Sequence, residues 1–126
     1  MSVEKYTKRN GTVKDKFRVD IYKSLVYVVF AHEENLREEY ENFFPCHKLE
    51  STFFDGLTAQ NGDKNTYLTM FDIDNFNEGD IAHEANHLVN LIYNHIGAKR
   101  DMSNQEPECY LIGYLVNEIY KIYNKI

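Results

Sequence analysis

The sequence predicts an α+β domain, a small and mostly antiparallel sheet packed with helices. Three observations predict it. The run DIYKSLVYVVFA (residues 20–31) is rich in β-branched and aromatic residues. Two more such runs flank the turn-rich segment QNGDKN, and the last third of the chain carries apolar residues at helical spacing. At 126 residues, with 43% hydrophobic content, the chain can build one core but not two.

In chain order, residues 20–31 read as a strand buried on at least one face. EENLREEYENFF then places Leu36, Tyr40, Phe43 and Phe44 on one helical face, with glutamates in its first turn and Pro45 as its stop. LESTFFDGLTA and TYLTMFDI read as a β-hairpin around QNGDKN. The loop DNFNEGD offers Asp80 to cap a helix expected over residues 81–96, which Gly97 ends. Ile81, Ala85, Leu88 and Ile92 give that helix a buried stripe. PECYLIGYLVNEIYKIYNKI forms the last helix, with Pro107 near its first position.

Charge divides the chain into a basic arm over residues 1–19 and a single acidic domain over residues 20–126. Lys5, Lys8, Arg9, Lys14, Lys16 and Arg18 crowd the arm, which is expected to be solvated and mobile. The net charge of −6 argues against general nucleic-acid binding, which needs a basic face, and no nucleic-acid partner is expected. Cys46 and Cys109 form neither a CxxC pair nor a disulfide framework. No segment approaches a membrane span and the N-terminus lacks an apolar signal core, so a soluble, cytoplasmic protein with no membrane partner is expected.

The chemistry concentrates in HEANH. Residues four apart on a helix lie one above the other, so His83 and His87 can both present a nitrogen to one zinc ion. Glu84 is rotated by roughly 100° from His83 and flanks such an ion, where a carboxylate can take a proton from a metal-bound water. Both histidines lie off the buried stripe. The competing reading is a pair of half-exposed histidines making surface hydrogen bonds.

A catalytic zinc needs a third protein ligand and an open position. The extended pattern HExxHxxGxxH is excluded, because Asn90 and Tyr93 stand where it needs Gly and His. His95 lies about 12 Å along the axis from His87 and out of phase, and suits the helix C-terminus instead. A carboxylate of the last helix remains, either Glu106 or Glu108. Tyr110 and Tyr114, one and two turns after Glu106, can offer a phenol to a developing oxyanion, although packing at the rim of the core is their commoner use. Asn90 and Asn94 share the phase of the histidines and could support them. Cys46 and His47 are adjacent but have no second pair within reach, and a loop with a buried thiol is expected there. His32 is expected at a helix start, and Cys109 is close enough in sequence to compete as a metal ligand.

HEANH, followed by EPECYL at the head of the next helix, resembles the gluzincin branch of the zincin metallopeptidases. More narrowly, it resembles the small single-domain zincin-like proteins of bacteriophages and mobile elements. The likeness covers residues 20 onward, with specificity in the two helical motifs. It implies a zincin-like fold, Zn2+ held by His83, His87 and Glu106, Glu84 as the base, and a peptide or protein substrate. In larger members the last strand before the active helix often holds the substrate along its edge; here that would be the strand in TYLTMFDI. The leading expectation is a zinc-dependent hydrolase of the metallopeptidase type, with Glu84 and Tyr110 as catalytic residues. The alternative is a zincin-shaped binding module that keeps its zinc without turnover, and a metal-free interaction domain is the weaker third.

Overall fold

The computed structural model describes residues 11–51 and 54–124. Its elements are strands β1 (Val13–Val19) and β2 (Ser24–Ala31), helix α1 (Glu33–Phe43), strands β3 (Gly56–Gln60) and β4 (Thr66–Asp72), and helices α2 (Glu78–Ile96) and α3 (Glu106–Tyr123). The four strands form one sheet in the order β1-β2-β4-β3. β1 pairs antiparallel with β2 and β3 antiparallel with β4, but β2 and β4 run parallel. The chain is therefore α+β with a mixed sheet.

Strand alternation sorts the side chains into two layers of core. Val26, Val28 and Phe30 of β2 join Tyr67 and Phe71 of β4 under α2 and α3. Val29, Ala31, Leu68 and Met70 point to the opposite face, where Leu36 and Phe44 of the α1 segment cover them. Helices thus lie on both sides of the sheet. The parallel β2–β4 pair forces the chain to cross over between the two strands, and α1 lies in that crossover, while α2 and α3 follow β4 on the other face.

Three expectations about the strands need correction. Val13–Val19, placed by charge in the basic arm, is strand β1. Val13 and Val19 are buried and Phe17 packs on the core, while Lys14, Lys16 and Arg18 alternate with them. Period-two patterning outweighed the charge there; the rest of the arm, residues 1–10, lies outside the described residues. The second strand starts at Ser24 instead of residue 20, because Asp20 to Lys23 form a turn in which Lys23 adopts φ 57°. The expected hairpin forms, with Thr58 opposite Thr69, but β4 is paired on both sides and offers no edge. The edge next to the HEANH helix belongs to β3. Residues 52–53, in the first half of that expected hairpin, lie outside the described residues.

Helix α2 is the element that carries the site. Asn77 caps it: its side chain accepts from the Asp80 backbone N–H at 3.0 Å, and the Asp80 carboxylate accepts from the Asn77 N–H at 2.8 Å. Asp80 is thus the reciprocal partner in a capping box rather than the cap itself. Gly97, at φ 76°, ends the helix in the left-handed conformation that glycine adopts without strain. Ile81, Ala85, Leu88 and Ile92 are fully buried, as their spacing predicts. Each large aliphatic side chain so buried stabilises the fold by about 1.5–3 kcal/mol. Among the described residues, no helix is long and apolar enough to cross a membrane.

Candidate metal site

The phase that buries Ile81, Ala85 and Leu88 leaves His83 and His87 exposed one turn apart. Their Nε2 atoms face each other at 3.1 Å, with the rings at 78° to one another. At that separation there is room for one proton or one cation between the nitrogens, but not for two N–H groups pointing at each other. Two bonds of about 2.0–2.1 Å to a single zinc ion can span such a gap.

Glu84 flanks the pair on the same turn, rotated toward the sheet, and is buried, with 5% of its side chain exposed against 67% for His83. A buried carboxylate needs hydrogen-bond donors. Thr58 on β3 supplies one, its hydroxyl donating to Oε1 at 2.6 Å, and Thr58 in turn lies 3.0 Å from the Thr69 hydroxyl on β4. The other carboxylate oxygen, Oε2, lies 3.9 Å from His83 Nε2. Gly56 completes the cradle. A Cβ there would come within 2.8 Å of Glu84 Cγ and 3.1 Å of Oε2, so a side chain at position 56 would occupy the space the carboxylate uses.

Ligand atoms of His83, Glu84 and His87 all lie within 4.8 Å of one another. With Gly56, Thr58 and Asn90 they line a cavity of about 300 Å³. Two imidazoles beside a carboxylate form a donor set suited to zinc.

Glu106 and Glu108 do not belong to this three-residue group. Glu106 is exposed in the first turn of α3, whereas Glu108 is buried with Arg100 Nε 3.2 Å from its Oε2. Tyr110 does not meet the histidines either. Helix α3 buries Leu111, Leu115 and Ile119, and that phase turns Tyr110, 75% exposed, to a separate cavity of about 360 Å³ beside the β1–β2 turn. Tyr114 lines the same cavity and donates from its hydroxyl to the Arg18 carbonyl at 2.8 Å.

Of the remaining candidates, Asn90 lines the site, and His95 accepts from the Gln60 side chain at 3.1 Å. His32 stands at the start of α1, as expected. Cys46 is exposed, not buried: α1 ends at Phe43 and Phe44 fills the apolar position in its place. Cys109 is a free, exposed thiol.

Sequence reasoning missed Gly56, Thr58, Thr69 and Arg100. A threonine in a strand is ordinary, and only the hairpin register aligns Thr58 with Thr69 beneath Glu84. Comparison with protein-family models, with curated proteins and with solved structures gave no match.

Proposed function

We propose that this chain is a zinc-dependent hydrolase of the metallopeptidase type, related to the small gluzincin-like proteins that its HEANH and EPECYL motifs resemble. The observation that carries the reading is the division of labour within one helical turn. Two exposed imidazole nitrogens converge at 3.1 Å, beside a buried carboxylate fixed through one oxygen by Thr58. Two surface histidines making hydrogen bonds need no buried carboxylate beside them.

His83 and His87 hold the ion through Nε2, and Glu106 is the third ligand on the strength of the motif. When bound, zinc supplies a Lewis acid that lowers the pKa of water and polarises a carbonyl. Glu84 accepts the proton of the attacking water at Oε2 and passes it to the leaving amine nitrogen. The Thr58 hydroxyl keeps Oε1 occupied, so that the proton is handled at the oxygen nearer His83. The edge of β3 favours a peptide as substrate. An extended chain can add to that edge through backbone hydrogen bonds, next to Gly56 and Glu84.

The test is hydrolysis of a mixed peptide library by the zinc-loaded protein and by Glu84→Gln. Loss of a general base lowers the rate by about 10²–10⁴-fold, with zinc content unchanged. Equal cleavage by the two proteins would overturn the assignment of Glu84. A second reading, a zinc-holding binding module, draws on the position of Glu106 outside the three-residue group. Zinc uptake without cleavage of any peptide would favour it.

A further inference from the structure

One side chain in the connection between α2 and α3 touches both helices. Arg100 Nη2 donates to the Asn86 carbonyl at 3.2 Å and to the Asn86 side-chain oxygen at 2.8 Å. Its Nε lies 3.2 Å from Glu108 Oε2. Both of those atoms are buried, and neither has a hydrogen-bond partner among the described residues, where the ion pair compensates them. Asn86 immediately precedes His87, and Glu108 follows Glu106 by two residues. The guanidinium therefore ties the turn of α2 that bears the histidines to the turn of α3 that bears Glu106. The rigid plane of an arginine presents Nε to one partner and Nη2 to the other, a spread of donors that the single nitrogen of a lysine does not reproduce.

We propose that Arg100 is a positioning residue for the metal site, a latch that sets Glu106 relative to His83 and His87. The inference rests on the zinc-hydrolase reading of the site. It also separates the two α3 carboxylates: Glu108 is committed to Arg100 and buried, and Glu106 is left for the metal. Interactions that orient metal ligands from behind are worth about 10–100-fold in metal affinity.

The experiment is zinc titration against a chromogenic chelator, with urea unfolding of each metal-free protein alongside. Arg100→Gln and Glu108→Gln are each expected to weaken zinc binding about 10–100-fold, and Arg100→Lys does not restore it. In a Glu106→Ala background, Arg100→Gln is expected to have no further effect, because the latch acts through Glu106. A general loss of structure would instead add to the Glu106→Ala defect. Should Arg100→Gln fail to fold, Glu108→Gln tests the same link while leaving Arg100 on Asn86. Unchanged zinc affinity in the folded variants, or equal losses with and without Glu106, would overturn the latch and leave the zinc reading standing. Absence of zinc uptake by the wild-type protein would overturn that reading and the latch with it.

Discussion

His32 and the His83–His87 pair occupy helices of the same small domain, yet they are built to different ends. His32, at the start of α1, has a committed carboxylate: its Nδ1 lies 2.7 Å from Asp74 Oδ2, joining α1 to the loop after β4. Among the described residues, His83 and His87 have only each other at hydrogen-bond distance, and the carboxylate between them in sequence is bound to Thr58 instead. A histidine that serves structure is satisfied by its neighbours. A pair whose nitrogens converge beside a carboxylate anchored elsewhere is an arrangement that could hold a metal ion. Burying Glu84 is unfavourable unless its charge is used or well solvated by donors. The hydroxyls of Thr58 and Thr69 offset part of that cost.

The sharpest way to break this contrast, after loss of Glu84 itself, is at the cradle. Thr58→Val keeps the shape of the side chain but removes the donor to Oε1. Leaving a buried acceptor without its partner costs about 1–3 kcal/mol, measurable by urea unfolding. Zinc affinity should change little, because Thr58 touches neither histidine, while peptide cleavage should fall. Thr58→Ser, which restores the hydroxyl, should recover the cleavage. Recovery by Ser but not by Val ties the effect to the hydrogen bond rather than to packing.

The smallest expected effect concerns His32. Its hydrogen bond to Asp74 raises its pKa above the ordinary histidine value, with Glu34 and Asp72 adding to the charge that favours the imidazolium and burial opposing it. A raised folded-state pKa gives stability that is fully present below the unfolded value, about 6.5, and is lost as pH rises through the folded value. Asp74→Asn should lower the His32 pKa in an NMR titration and remove that increment, which is under about 1 kcal/mol for so exposed a pair. An unchanged titration would show that Asp74 is not the cause. Neither result should affect zinc binding, and that independence sharpens the difference between the two histidine environments.

Much of this was legible in the sequence where local pattern and tertiary demand agree. The stripe Ile81, Ala85, Leu88 and Ile92, the stop at Gly97, the hairpin around QNGDKN and the exposure of His83 and His87 all follow from spacing. The failures lie where long-range pairing decides. Lys14, Lys16 and Arg18 made β1 look like a solvated arm, although Val13, Phe17 and Val19 alternate with them into the core. The family resemblance points to the strand in TYLTMFDI as an edge, but a parallel partner, β2, covers it and the sheet ends at β3. Tyr110 followed Glu106 at a suitable spacing, yet the phase of α3 carries it to the β1–β2 turn. Thr58 and Arg100 gave no local signal, because each matters only through residues far along the chain.

Whether HEANH holds a metal is decided by the zinc content of the purified, untagged protein after dialysis, read by plasma mass spectrometry beside His83→Ala and His87→Ala. Close to one zinc per wild-type chain is expected, and its loss in both variants while they remain folded. A wild-type chain that holds no zinc and takes up none on titration would contradict that expectation, and HEANH would then be two facing surface histidines on an ordinary amphipathic helix.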